Sequence, residues 1–525
     1  MLLATRKEME ELESVTREEM ALTDADMITL AGTNAAKAIL EWSRRFPPAL
    51  RRRFVVLAGA GKNGADAWIT ANALHRAGEE VLLADFHGNH KFSGGALAAI
   101  STVRKEKAFP VIDMGGDRNL RELSLLLQPG AILIDGLVGT GAKGNLRQPL
   151  SIAVELMNRR EHQVPTVALD IPSGLDADEG TGDIIMRADL TLSMGFLKRG
   201  FFIGRGPEVT GELQCVDFGC PQSHLRANNI NAAGTPEYAF GMDDAAALLR
   251  PRSHLAHKNS LGKALLLCGS EQYNGAPFLA ASAALRSGCG LVKLILPEAA
   301  RKRPGEAALI LRELPGATHF EAGHAEALST EIAWADAILY GPGIGLDAAP
   351  EMLKALLNQP KPLVLDADAL RILSAHPESL KQPKKARELI LTPHVGEMAA
   401  LLAAFAPEAA GKAPKEQALA VAKATGAVVL LKGPRTIVAT AGTQGQCSFN
   451  ASGNSALATA GSGDVLSGII TALAAQMPPA DAARLGAFLH GLAADLYARK
   501  ASPRGLIADD LPAILPDAFR QCGIW

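Results

Sequence analysis

The chain has 525 residues, of which 48% are hydrophobic and 5% aromatic, with 53 Lys and Arg against 55 Asp and Glu. One hydrophobic core stops growing at about 250–300 residues, so at least two domains are expected. The formal net charge of −2 leaves no positive excess to neutralise a nucleic-acid backbone, and no segment reaches the roughly 18 apolar residues of a membrane span, so neither partner is expected.

The N-terminal run MLLATRKEMEELESVTREEM alternates charges where a secretion signal needs an unbroken apolar core. Cysteines 215, 220, 268, 289, 447 and 522 form no CxxC pair, which reads as reduced thiols in a cytoplasmic protein. The first fifty residues read helical. Thr16-Arg17-Glu18-Glu19 has capping-box spacing, apolar residues recur at three-to-four spacing toward Trp42, and Pro47-Pro48 close the stretch.

Short apolar runs closed by glycine then follow: FVVLAGAG (54–61), VLLADF (81–86), AILIDGLVGTG (131–141), TVALDIPSG (166–174) and DLTLSMGF (189–196). Residues 223–240, polar with Asn-Asn, Gly and Pro, read as a linker. A second series comprises KALLLCGS (263–270), LVKLILP (291–297), AILYGPGIG (337–345), LVLDADAL (363–370), LILTPHVGE (389–397) and AVVLLKGPRTIVA (427–439). Continuous apolar strands alternating with helical segments predict two α/β domains, each a parallel sheet covered on both faces. In such sheets the ligand crevice lies beyond the carboxyl ends of the strands, where the polar candidates should be sought.

In the first half, Gly59-Ala60-Gly61-Lys62-Asn63-Gly64-Ala65-Asp66 joins a strand to a helix. Glycines there let backbone N–H groups approach an anion at the helix N-terminus, although a tight turn alone would look the same. The spacing is not GxGxxG, so a nicotinamide dehydrogenase is not supported. Asp135 and Asp170 end two strands; with the Asn63 amide and Ser173 hydroxyl they supply hard oxygens for a cation, or one carboxylate for acid/base work. In the second half, Gly461-Ser462-Gly463 precedes an apolar helix and forms an anion hole of N–H groups, with Asp464 placed to take a proton from a hydroxyl. Phosphoryl transfer to an alcohol requires that pair.

The set GAGKNGAD, LIDGLVGTG and LDIPSGLDAD resembles the N-terminal epimerase domain of the NAD(P)H-hydrate repair enzymes, a Rossmann-like three-layer sandwich. Family members carry N-N-G-G-D-G where this chain has Lys62-Asn63-Gly64-Ala65-Asp66-Ala67, a departure at Lys62, Ala65 and Ala67. Gly461-Ser462-Gly463-Asp464 resembles the anion hole of the ribokinase-like superfamily. Within it, NSLGK (259–263), NGAP (274–277), GPGIG (341–345), LDADAL (365–370), LTPHVGE (391–397), KG (432–433) and HGLAAD (490–495) resemble the ADP-dependent NAD(P)H-hydrate dehydratase domain, a ribokinase-like three-layer α/β fold. The resemblance implies an epimerase-like domain at 1–222, the linker at 223–240 and a dehydratase-like domain at 241–525.

Residue by residue, it implies that Lys62, Asn63, Gly64, Ala65 and Asp66, with Gly139, Thr140, Gly141, Ala142, Lys143, Gly144 and Asn145, hold the hydrated nucleotide in the first half. Asp170 would contact substrate as acid/base, and Asn63, Asp135 and Ser173 would bind K⁺. In the second half Ala276, Gly343, His394 and Asp464 would contact the hydrate, with Asp464 catalytic. Lys432, Gly433, Pro434, Arg435, Thr436, Gly461, Ser462 and Gly463 would hold the nucleotide, ADP in bacterial members, with Mg²⁺ on its phosphates. The implied function is nicotinamide-nucleotide repair: R and S hydrates of NADH and NADPH interconvert, and the S form is dehydrated at the expense of ADP, giving AMP and phosphate. A homo-oligomer is expected. Two alternatives remain at this stage: a kinase for a small hydroxylated molecule, such as a hydroxymethyl pyrimidine or hydroxyethyl thiazole, and a first half that binds without catalysing.

Overall fold

The computed structural model describes residues 3–48, 53–87, 92–114, 127, 129–141, 144–159, 164–221, 237–301, 307–380, 388–442 and 446–523. The chain divides into two compact units, residues 1–229 and 230–525.

Two helices, Arg6–Glu19 and Asp24–Ser43, open the first unit. Their capping boxes are Thr5 with Glu8 and Thr23 with Asp26, not the Thr16–Glu19 pair that the spacing suggested. Thr16 lies inside the first helix, buried, and its hydroxyl donates back to the Leu12 carbonyl at 2.7 Å. The capping-box pattern recurs inside helices, and only a change to extended backbone makes it a cap.

Among the described residues the first sheet has seven strands: β1 (Arg53–Ala58), β2 (Val81–Asp85), β3 (Val111–Asp113), β4 (Ala131–Gly136), β5 (Thr166–Leu169), β6 (Leu190–Met194) and β7 (Glu212–Val216). Every pairing is parallel, in the order β3-β2-β1-β4-β5-β6-β7. That is the Rossmann-like doubly wound order. Alternate side chains feed opposite cores, as a strand's period of two requires. Phe54, Val56 and Ala58 pack with Ile39, Trp68 and Leu74 of the helices Asp24–Ser43 and Lys62–Arg76. Val55 and Leu57 pack with Val154 and Met157 of the helix Leu150–Met157. Strands β3 and β7 escaped the sequence reading because both are edge strands, one only three residues long and one with a half-exposed, polar face.

The second sheet runs β11-β10-β9-β12-β13-β14-β15-β16-β17-β8 among the described residues. Its members are β8 (Glu237–Phe240), β9 (Lys263–Leu267), β10 (Leu291–Pro297), β11 (Ile310–Leu314), β12 (Ala337–Tyr340), β13 (Leu363–Leu365), β14 (Leu389–Leu391), β15 (Val428–Leu431), β16 (Ile437–Thr440) and β17 (Gln446–Asn450). Strands β9 to β15 are parallel, whereas β15–β16 and β16–β17 are antiparallel. The run 427–439, read as one strand, is therefore a hairpin whose turn is Lys432 to Thr436. Residues 223–236 of the expected linker lie outside the described residues, and 237–240 are not linker. They form β8, paired with β17, where Tyr238 and Phe240 supply strand-forming side chains and Ala239 and Phe240 are buried.

Leu266, Leu339 and Val364 face a core shared with the helices Ala276–Arg286, Ser462–Ala474 and Pro479–Ala498. Leu265, Leu267, Ile338 and Tyr340 are buried on the other face. In both units the chain leaves its first strand on one side and returns on the other, so switch points lie at β1/β4 and β9/β12.

Contact between the helices Ala276–Arg286 and Ser462–Ala474 is set by one glycine: a Cβ on Gly468 would lie 2.2 Å from the Ala280 carbonyl oxygen. Helix propensity favours Ala over Gly by about 0.8–1 kcal/mol, but overpacking costs about 1–3 kcal/mol. Gly468→Ala is therefore expected to lower stability, seen as a lower urea midpoint for the second unit with unchanged slope. An equal or higher midpoint would show that the helices separate freely.

Candidate active sites

At the first switch point, backbone crosses backbone. A Cβ on Gly59 would lie 1.8 Å from the Leu137 carbonyl oxygen, and one on Gly64 would lie 1.9 Å from the Gly59 carbonyl oxygen. These glycines let the helix Lys62–Arg76 start against the β4 turn, while a Cβ on Gly61 would meet only open space. Ala65 and Ala67 are fully buried, so the two methyls by which this chain departs from N-N-G-G-D-G face the core. Lys62 reaches back to the first helix, its Nζ 2.7 Å from Glu13 Oε2.

Asn63 is buried; its Nδ2 donates to the Leu169 carbonyl at 3.1 Å and its Oδ1 has no hydrogen-bond partner. Asp135, at the tip of β4, is fully buried and accepts from Ser173 N at 2.8 Å, Ser173 Oγ at 2.7 Å and Leu137 N at 3.2 Å. Burial pushes its pKa up to about 6, with the Ser173 and Leu137 hydrogen bonds acting the other way. Gly139 lies between Asn63 and Asp170, since a Cβ on it would be 3.1 Å from Asn63 Cβ and 3.4 Å from Asp170 Oδ2.

Asp170 follows β5 with φ +63, a left-handed backbone uncommon outside glycine. Its Oδ1 accepts from Lys198 Nζ at 2.6 Å and Met194 N at 3.3 Å, and its Oδ2 from Thr140 N at 3.5 Å. Asp66 is buried with Oδ1 unpartnered; burial, then Asp170 and Glu13, push its pKa well above the carboxylate range. The structure thus groups Asn63, Asp66, Asp135, Gly139, Thr140, Asp170 and Ser173. Lys62 points to Glu13, and Asn145 donates to Asp183 instead. Gly144 takes φ +78 in the same loop, and Ala142 and Lys143 lie outside the described residues.

In the second unit, Gly343 (φ +64) is packed so that a Cβ would lie 2.8 Å from Tyr273 Cβ and 3.4 Å from Ala276 Cβ, which brings the two expected hydrate contacts together. Gly461 (φ +86) turns the chain into the helix Ser462–Ala474, whose first turn carries Asp464. Lys432 closes the other side, because a Cβ on Gly463 would be 3.5 Å from its Nζ. Lys432 Nζ donates to Asp366 Oδ1 at 2.8 Å and lies 3.9 Å from Glu397 Oε2. Burial works against its charge, but Asp366 and Glu397 outweigh that and raise its pKa. Asp464 is pushed up to about 7 by burial first and Asp366 second, against the pull of Lys432.

His394 caps the helix Val395–Phe405: its Nδ1 accepts from Gly396 N at 2.9 Å while its ring stays half exposed. Ser462 Oγ donates to the Leu457 carbonyl at 2.9 Å, and its backbone N–H to the Thr459 carbonyl at 3.4 Å. Thr436 Oγ1 donates to the Gly433 carbonyl at 3.2 Å. Arg435 is buried, and burial lowers its pKa to about 10 against the attraction of Asp495. Asp495 also accepts from Gly453 N and Asn454 Nδ2 at 2.9 and 2.8 Å, tying down the approach to the anion hole.

The site list from sequence omitted Asp366, Glu397 and Lys198. The first two stand at a strand end and a helix start, where the same rule that found Asp135 would have found them. Nothing local distinguishes buried Lys198 from its half-exposed neighbour Arg199.

Residues 264–517 match the family model described as NAD(P)H-hydrate dehydratase, and residues 24–200 match that of the YjeF-related protein N-terminus. A bifunctional NAD(P)H-hydrate repair enzyme of Moorella thermoacetica is 33% identical, the alignment covering 99% of this chain and 97% of that protein. The chain belongs to the bifunctional NAD(P)H-hydrate repair enzymes. A further member from Escherichia coli is 32% identical over 88% of this chain and 84% of its own length. The crystal structure of an ADP/ATP-dependent NAD(P)H-hydrate dehydratase from Bacillus subtilis, grown with ATP and Mg²⁺, is 31% identical and covers 54% of this chain and 98% of its own, with a TM-score of 0.46. The repair enzyme is accordingly both an isomerase and a lyase of hydrated nicotinamide nucleotides. Full-length relatives that include the first half set aside the small-molecule kinase reading.

With Asp464 taken as the base, dehydration should fall as pH drops through its pKa, because a base must be ionised to accept a proton. The kcat/KM for the S hydrate is expected to rise with an apparent pKa near 7, and Asp464→Asn to lose about 10²–10⁴-fold. A flat profile between pH 5.5 and 8.5 would remove Asp464 as the base.

Proposed function

We propose that residues 1–222 epimerise the hydrate around Asp170 and residues 241–525 dehydrate the S form around Asp464, with ADP as phosphoryl donor. The observation that carries the second assignment is a carboxyl poised near pH 7 at the open start of a helix, opposite the Lys432 ammonium. Asp464 takes the proton of the ring hydroxyl as its oxygen attacks the β-phosphorus of ADP, and AMP leaves. Phosphate then departs from the ring carbon with the C–O electron pair, and loss of the neighbouring C–H proton restores NADH or NADPH. Backbone N–H groups of Gly461, Ser462 and Gly463 steady the transferring charge, and Lys432 with the turn to Thr436 lies where the nucleotide phosphates approach. Ala276, Gly343 and His394 rim the hydrate side. Mg²⁺ would ride on the phosphates; among the described residues, no group of three or more His, Cys, Asp or Glu is placed to hold it alone.

In the first unit Asp170 accepts the ring-hydroxyl proton and delivers it to the ring nitrogen as the C–N bond opens to an aldehyde; closure on the opposite face gives the other epimer. The donors fit a potassium ion: Asn63 Oδ1 is buried and unpartnered, and Asp135 and Ser173 add two hard oxygens. The ion would neutralise Asp135 and fix the turns that border the substrate. Cytoplasmic operation is supported by six free cysteines. Among the described residues no helix is long and apolar enough to cross a membrane.

The test uses pure S hydrate with Mg²⁺ and ADP, followed by phosphorus NMR, and pure R hydrate for the first unit. One AMP and one phosphate per NADH are expected; a stable phosphorylated hydrate would overturn the lyase chemistry. Asp170→Asn is expected to slow epimerisation by about 10²–10⁴-fold while leaving S dehydration intact. Normal epimerisation by that variant would remove Asp170 from the role.

A further inference from the structure

Lys198 is the one lysine with a fully buried side chain among the described residues, and no motif of the sequence pointed to it. Burying an ammonium is costly unless all three donors are used. They are: Nζ donates to Asp170 Oδ1 at 2.6 Å, Ser193 Oγ at 2.9 Å and the Met194 carbonyl at 2.9 Å. The loop bearing it is clamped by the N-terminal segment, since Ala4 N donates to the Leu197 carbonyl at 2.9 Å and Arg199 N to the Ala4 carbonyl at 3.1 Å. Two carboxyls, Asp66 and Asp170, repel each other in this crevice.

We propose that Lys198 is a positioning residue of the epimerase: its ammonium, fixed by three hydrogen bonds, aims the Asp170 carboxylate at the hydrated ring. This rests on Asp170 being the acid/base. In this step only the hydroxyl proton moves, to Asp170 and onward to the ring nitrogen. The charged and titratable groups around Asp170 are few. Lys198 comes from the segment after β6; Asp66 comes from the helix Lys62–Arg76 and is itself biased by Lys62 and Glu13. Cys215 of β7 is near Lys198, but burial lifts its thiol to about 11 and keeps it neutral. With the ammonium removed, Asp170 would be held only by the Met194 and Thr140 amides and would lose the adjacent cation that favours a carboxylate's charged form.

Full-length Lys198→Met and Lys198→Gln are compared with wild type for epimerisation of R hydrate between pH 5.5 and 9, with S dehydration as internal reference. A fall in kcat of at least about tenfold, an acid limb of kcat/KM moved up by about one pH unit or more, and unchanged dehydration are expected. An acid limb in the wild-type position with kcat within about threefold of wild type would overturn the proposal. If neither neutral variant folds, Lys198→Arg decides, because it retains charge but misplaces it: a loss of about tenfold in kcat with an unmoved limb is expected, and full kcat would contradict the aiming role. Asp170→Asn is run alongside. If it epimerises normally, the reading of Asp170 fails; if it is inactive while the Lys198 variants behave as wild type, only the role of Lys198 fails.

Discussion

Close crossing of backbone over backbone at the carboxyl ends of the strands is the constraint on which both sites depend. Gly59 must pass the Leu137 carbonyl, and Gly341 must pass the Asp366 carbonyl, where a Cβ would lie 1.9 Å away. Side chains are excluded from these crossings, so the turns close tightly and the strand-end carboxylates crowd into a crevice with little water. Open parallel sheets place their ligand crevice beyond the carboxyl ends of the strands.

Crowded carboxylates in a dry crevice need compensation, and the two units compensate differently. In the first, Asp135 is held by three hydrogen bonds and Asp170 by a buried ammonium, while burial and the Asp170 charge favour the neutral form of Asp66. In the second, Lys432 is committed to Asp366 and Glu397, which leaves Asp464 only partly compensated and near the pKa that a base working at neutral pH needs. The lysine beside Gly463 therefore also lowers the Asp464 pKa, and in the proposed mechanism it couples phosphate attraction to proton uptake. Loss of Lys432 would affect both functions together.

Much of this architecture was legible in sequence because buried parallel strands are continuous apolar runs and end in glycine. The runs beginning at Phe54, Val81, Ala131, Lys263 and Ala337 all became strands. Edge strands β3, β7 and β11 were not legible, since a half-solvated strand need not be apolar. Thr16 misled because side-chain spacing does not report backbone conformation. Strand-end Asp135, Asp170 and helix-start Asp464 were readable from their glycine settings, and the burial of Ala65 and Ala67 explains how this chain replaces two family glycines without filling its crevice. Lys198 was invisible because its partner lies 28 residues away on another strand, and long-range ion pairs leave no local pattern.

The central claim is that one chain carries two working sites, the first feeding the second. The most direct measurement is the recovery of absorbance at 340 nm from an R and S mixture of NADH hydrate with Mg²⁺, K⁺ and ADP. Recovery of the whole mixture, faster than the uncatalysed exchange of epimers, is the predicted result. Recovery that stops at the S fraction and then creeps at the uncatalysed rate would contradict the account and leave the first unit without its catalytic role.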